Sequence, residues 1–123
     1  MEYRELGNTG MKLSKLSFGA SSLGGVFHSL KEAEGIKAVH TAVESGINFI
    51  DVSPYYGHLK AETVLGKALK DIDRNKYYLS TKVGRYGKDG VNLWDYSAKR
   101  SKESVYESLE RLNVDYIDII NVH

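Results

Sequence analysis

Apolar positions along the chain follow two alternating rhythms, period two in short runs and helical spacing in longer ones. The opening Tyr3-Arg4-Glu5-Leu6 and Met11-Lys12-Leu13 flank the turn residues Gly7-Asn8-Thr9-Gly10, which predicts a small N-terminal β-hairpin. Leu16-Ser17-Phe18-Gly19 is a short strand candidate. The small-residue loop after it, Ala20-Ser21-Ser22-Leu23-Gly24-Gly25, would let a ligand approach the backbone closely. A first helix is expected from about Leu30 to Ser45. Ser29-Leu30-Lys31-Glu32 fits a capping box, Ile36, Val39 and Val43 recur on one face, and Gly46 suits the position past the C-terminus.

The same unit then repeats. Asn48-Phe49-Ile50-Asp51 reads as a strand, followed by a Pro54/Gly57 loop and a helix over Ala61 to Leu69 with Val64, Leu65, Ala68 and Leu69 inward. Tyr77 to Lys82 is a further strand, and a glycine-containing loop is expected from Gly84 to Asp95. The next helix runs from Ser97 to Leu112, with Val105, Leu109 and Leu112 on its apolar face and Glu107 one turn from Arg111. Tyr116 to His123 is the last strand. The pattern after the hairpin is βαβαβαβ.

Such alternation predicts an α/β fold with a parallel sheet, either open and doubly wound or a (β/α)8 barrel. The loop after Phe18 lacks the G-x-G-x-x-G turn of a nucleotide-binding open sheet. The chemically suggestive side chains also fall at the C-terminal ends of successive strands, where barrel enzymes place their sites. The expectation is therefore a TIM-barrel half: residues 1–123 form one domain with four of the eight strands, since a full barrel takes about 250 residues.

Composition narrows the partners. Seventeen basic and sixteen acidic residues leave a net charge of +1, with no basic stripe to attract nucleic acid. No apolar stretch approaches the roughly 20 residues of a membrane span, and the N-terminus lacks a signal-peptide pattern, so a cytoplasmic protein is expected. The absence of cysteine and the scatter of the four histidines argue against disulfides, thiol chemistry and a metal site. Exposed edges on the first and fourth barrel strands predict self-association of the half barrel.

Four side chains stand out: Asp51, Tyr56, Lys82 and His123. Singly, each has an ordinary role, as a loop cap, a packing aromatic, a solvated strand end and a terminal residue. Together, at one mouth, they make chemistry. An ammonium beside a phenol stabilises the phenolate and makes the phenol a usable proton donor, Asp51 would orient the ammonium, and His123 could donate to a carbonyl oxygen. No side chain donates hydride, so a carbonyl reduction here needs a nicotinamide cofactor. Tyr55 reads as structural, while Trp94 and His58 suit loop packing.

The run Gly46-Ile47-Asn48-Phe49-Ile50-Asp51-Val52-Ser53-Pro54-Tyr55-Tyr56-Gly57, followed by Glu62 and Leu65-Gly66-Lys67-Ala68-Leu69, resembles the aldo-keto reductase signature. Ser80-Thr81-Lys82, Ser104 to Leu112 and Asp115-Tyr116-Ile117-Asp118 are similar to further landmarks of that family. Ser53 to Gly57, Lys82 to Tyr86 and Asp95 to Ala98 look most like its L-galactose and aldose 1-dehydrogenase branch. Val52 and Ala61 depart from the small hydroxyl residues common at their positions. The resemblance implies an NADP- or NAD-dependent oxidoreductase acting on a small carbonyl or sugar substrate. It implies catalytic Asp51, Tyr56, Lys82 and His123, with Ala20, Ser21 and Asp51 toward the cofactor. Most of the family's cofactor contacts come from the later strands, so the chain alone is expected to be inactive. A binding or regulatory subunit of the same fold is the alternative, since some relatives serve as channel subunits. A phosphate-handling barrel isomerase fits the tetrad spacing less well.

Overall fold

The computed structural model describes residues 1–88 and 91–123. Its main sheet has four parallel strands, β3 (Phe18–Gly19), β4 (Phe49–Asp51), β5 (Tyr78–Val83) and β8 (Ile119–Val122), in that spatial order. Helices α1 (Glu32–Glu44), α2 (Lys60–Leu69) and α3 (Ala98–Leu112) supply the crossovers. This is the βαβαβαβ order of a partial (β/α)8 barrel. The N-terminal hairpin pairs β1 (Tyr3–Glu5) with β2 (Lys12–Ser14). It packs against the residues that lead into β4. Asn48, just before β4, accepts from the Ser14 N–H at 2.7 Å and donates to the Lys12 carbonyl at 2.9 Å, and the Tyr3 hydroxyl donates to the Gly46 carbonyl at 2.9 Å.

Two local expectations need correction. The capping box at Ser29 does not form: α1 begins at Glu32, with Lys31 at the N-cap and no side-chain cap. Glu32 and Glu34 in the first turn complement the positive end of the helix dipole instead, which lets the helix start without a cap. The stretch from Gly84 to Asp95 is not a plain loop. It holds an antiparallel hairpin of β6 (Arg85–Lys88) and β7 (Val91–Trp94), with Arg85 opposite Trp94. Asp89 and Gly90 lie outside the described residues. Gly87 permits the hairpin's close approach to the loop after β4, since an added Cβ there would lie 2.6 Å from His58 Nδ1 and 3.5 Å from Tyr55 Cδ2.

Side-chain alternation along the strands sorts residues between two faces. Ile50 and Leu79 point to the helices and are fully buried, together with Val39, Leu65, Ala68 and Leu112 from the helix layer. Asp51, Ser80, Lys82 and Asn121 point to the opposite face. Close helix packing needs Gly66, since a Cβ there would come 2.1 Å from the Arg111 carbonyl oxygen.

A carboxylate lies wholly inside this layer. Glu62 of α2 is fully buried. It accepts from Thr81 Oγ1 on β5 at 2.7 Å and from Arg111 Nε on α3 at 2.7 Å, so both carboxylate oxygens are satisfied. Removing one partner of a buried pair strands the other charge. Glu62→Ala is expected to lower unfolding free energy by about 3 kcal/mol in urea titration. Lys67→Ala, which breaks the half-exposed pair with Glu32 (side chains 48% exposed), should cost under about 1 kcal/mol.

Candidate active site

The carboxyl ends of β3, β4, β5 and β8 form one rim, because parallel register sets Gly19 beside Asp51, Asp51 beside Ser80, and Lys82 beside Asn121. Lys82 Nζ donates to both Asp51 carboxylate oxygens at 2.6 Å and to the Val52 carbonyl at 3.1 Å. Ser80 Oγ donates to Asp51 Oδ1 at 2.9 Å and accepts from Asn121 Nδ2 at 2.8 Å. The Asp51 carboxylate is thus held directly by β5 and, through Ser80, by β8. The ammonium is held rather than free to sweep, and only 13% of its side chain is exposed.

Tyr56 comes from the loop between β4 and α2, with its ring centroid 5.5 Å from Lys82 Nζ. Its backbone is fixed from both sides: its N–H donates to the Ser53 carbonyl at 3.2 Å and its carbonyl accepts from Ala61 N at 3.2 Å. The Ala20–Gly24 turn presses against the same backbone, and a Cβ on Gly24 would lie 2.8 Å from the Tyr56 carbonyl oxygen. The chain then turns through three successive left-handed residues, Gly57 (φ +61°), His58 (φ +49°) and Leu59 (φ +74°). For Leu59, such a conformation is strained and survives only because packing enforces it.

His123 follows β8, anchored by its N–H to the Val83 carbonyl at 2.9 Å and by the Tyr96 hydroxyl, which donates to its carbonyl at 2.5 Å. Its imidazole lies edge-on to Tyr55 and Tyr56, with ring centroids 5.8 Å and 6.0 Å away. Nδ1 lies 3.2 Å from Ser53 Oγ. Partial burial, then the positive charges of Lys82 and Arg85, hold its pKa below the ordinary value of 6.5, with Asp51 opposing. The imidazole is therefore neutral near pH 7.

All four residues singled out from the sequence gather at this rim, and Ala20 and Ser21 follow β3 directly beside Asp51. Trp94 and His58 instead lie with the β6–β7 hairpin. Four contributors were not singled out: Ser53, Ser80, Asn121 and Arg85. Ser80 and Asn121 carry a signal, since each sits two residues before a named residue on its strand and so shares its face. Arg85 had none. It stacks on Tyr55 at 4.0 Å and lies 5.7 Å from the Trp94 ring, while Nη2 donates to the Tyr55 hydroxyl at 3.1 Å. Among the described residues no three His, Asp or Glu side chains are placed to hold a metal ion, and no helix is long and apolar enough to cross a membrane.

A partial (β/α)8 barrel with a lysine–carboxylate pair, a tyrosine and a histidine on one rim defines a barrel protein whose polar site lies at the carboxyl ends of the strands. Residues 15–123 match the aldo/keto reductase family, and the chain belongs to that family. It is 49% identical to an L-galactose dehydrogenase of Arabidopsis thaliana over 125 residues, spanning all of this chain and 38% of that protein. A probable voltage-gated potassium channel subunit beta from the same plant is 35% identical, again over the whole chain but 37% of its own length. The holo form of an aldo-keto reductase from Bacillus halodurans superposes with a TM-score of 0.88 at 37% identity, covering all of this chain and 40% of that one. The chain thus spans well under half the length of these relatives.

The depressed His123 pKa links folding to pH. The folded state binds fewer protons than the unfolded state between the folded pKa and about 6.5, so stability rises with pH across that window and is lost as pH falls through it. His123→Gln should flatten this segment of the stability curve, read by chemical denaturation at a series of pH values.

Proposed function

We propose that the rim is the proton-transfer half of an NAD(P)-dependent oxidoreductase site that interconverts a small carbonyl compound and its alcohol. Tyr56 is the proton donor. The observation that carries this reading is the Lys82 ammonium, clamped by both oxygens of Asp51 with its Nζ 5.5 Å from the Tyr56 ring centroid. In reduction, the Tyr56 phenol passes its proton to the carbonyl oxygen as that oxygen gains charge, and Lys82 stabilises the phenolate left behind. In oxidation the phenolate takes the proton back. Asp51 keeps the ammonium oriented, and His123, neutral and wedged between two tyrosines, donates a hydrogen bond to the same oxygen.

The surroundings of Asp51 fit a flat cofactor ring. A Cβ on Gly19, the register partner of Asp51, would meet nothing within 4 Å, and Ala20 and Ser21 add only small side chains. Ala20, Ser21 and Asp51 are the residues of this chain that would hold the nicotinamide end. When bound, NADP or NAD supplies or takes the hydride, which no side chain can do. The similarity to an L-galactose dehydrogenase favours a sugar as substrate. A non-catalytic subunit role draws its support from the relative named as a channel subunit. Turnover separates the two.

The test is a chimaera in which the strands that follow in the Arabidopsis dehydrogenase complete the barrel. It is expected to turn over aldose with NAD(P), and Tyr56→Phe should reduce kcat by about 10²–10⁴-fold while cofactor fluorescence still titrates normally. Turnover within tenfold of the parent would remove Tyr56 from this role.

The 123 residues alone are expected to consume no NAD(P)H and to elute as dimers or larger species. Four strands leave the sheet open, with Val122 78% exposed and Ile120 41% exposed on the edge strand β8. Size-exclusion chromatography with light scattering beside a cofactor titration checks this. A stable monomer that binds NAD(P)H with micromolar affinity would contradict it.

A further inference from the structure

Ser53 is fully buried, two residues beyond Asp51, in the loop that leads to Tyr56. Its hydroxyl oxygen accepts a hydrogen bond from the Tyr55 backbone N–H at 3.1 Å and lies 3.2 Å from His123 Nδ1. A serine hydroxyl has one proton to donate and two lone pairs to offer. One lone pair is taken by Tyr55 N–H. Among the described residues, the only acceptor within reach of the hydroxyl proton is His123 Nδ1.

We propose that Ser53 sets the tautomer of His123: the Ser53 hydroxyl donates to Nδ1, and the ring proton is held on Nε2. The reverse arrangement, with Nδ1–H donating to Ser53, would leave a buried hydroxyl proton without an acceptor, a loss that disfavours that tautomer by about tenfold or more. Other contacts leave the choice to Ser53. The backbone anchors of His123, through Val83 and Tyr96, fix where the ring sits but touch neither ring nitrogen. Tyr55 and Tyr56 meet the ring edge-on and restrict its rotation without selecting a proton position. Among the described residues, Nε2 has no hydrogen-bond partner.

The consequence is a hydrogen-bond donor, rather than an acceptor, at the free edge of the ring. A ring that accepts at Nδ1 presents Nε2–H to the rim, which suits a carbonyl or alkoxide oxygen and repels no lone pair. Ser53 is thus a positioning residue. Its bearing on turnover rests on the oxidoreductase reading above, whereas the tautomer does not.

The two can be tested apart. Long-range proton–nitrogen correlation spectra of the 123-residue chain, labelled with ¹⁵N-histidine and recorded at pH 7.5, report which ring nitrogen carries the proton. His123→Gln identifies the His123 signals. The wild type is expected to show a pyridine-type Nδ1 and a pyrrole-type Nε2. In Ser53→Ala the two tautomers should mix, and Ser53→Thr, which keeps the hydroxyl, should restore the single form. A protonated Nδ1 in the wild type overturns the proposal even if neither variant folds. An unchanged spectrum in a natively folded Ser53→Ala overturns it as well. In the completed barrel, Ser53→Ala should lower kcat/KM by about tenfold, with Ser53→Thr recovering most of it. A shifted tautomer with unchanged kinetics would leave the tautomer assignment standing and count against His123 as a substrate donor.

Discussion

The buried carboxylate of Glu62 is the constraint on which the arrangement depends. An ionised group in a fully dry position is tolerable only when each oxygen has a donor, and the two donors come from different elements, Thr81 of β5 and Arg111 of α3. Satisfying Glu62 therefore dictates how α2, β5 and α3 sit relative to one another. Thr81 precedes Lys82, so the same bond that satisfies Glu62 on the helix face sets the rotation of the strand that delivers Lys82 to the rim. Alternation converts a packing requirement on one side of the sheet into the placement of an ammonium on the other.

A comparable bracket governs the last strand. Asp118, just before β8, accepts from the Leu79 backbone at 2.7 Å and from Arg74 at 2.6 Å, while Arg74 stacks 3.8 Å above the Tyr116 ring. β8 is an edge strand in this chain, with weak burial of its outer face. The Asp118–Arg74 bracket holds its register against β5, and that register is what sets Asn121 beside Lys82 and carries His123 to the rim. Slippage by one residue would turn Asn121 and His123 to the helix side.

The loop bearing Tyr56 is built differently, from close backbone approach rather than ion pairing. Gly24 and Gly57 touch where no side chain fits: a Cβ on Gly57 would lie 2.2 Å from the Gly24 carbonyl oxygen. The left-handed stretch through Leu59 is the cost of turning the chain from β4 into α2 so tightly that Tyr56 stays above Lys82. Strain in this loop, held by the packing around it, keeps the aromatic ring in place without relying on its own hydroxyl contacts.

The order of elements was legible in the sequence because hydrophobic periodicity is a local signal, and the alternation of short apolar runs with helical stripes at Ile36-Val39-Val43 and Val64-Leu65-Ala68 survives without knowledge of the neighbours. The family-like runs around Asp51, Tyr56 and Lys82 also pointed to the rim. Other features depend on partners distant in the chain. The β6–β7 hairpin is too short to announce itself and forms against His58 and Tyr55. The start of α1 depends on dipole-facing glutamates rather than on Ser29. Ser53 looks like any loop serine until folding brings residue 123 within hydrogen-bond distance of its hydroxyl, 70 positions away. Local pattern determined which strands and helices exist and where the chemically capable residues fall along them. Which of those residues share a hydrogen bond, a charge or a buried proton was decided only by strand register and helix packing, because those distances are set between segments and not within them.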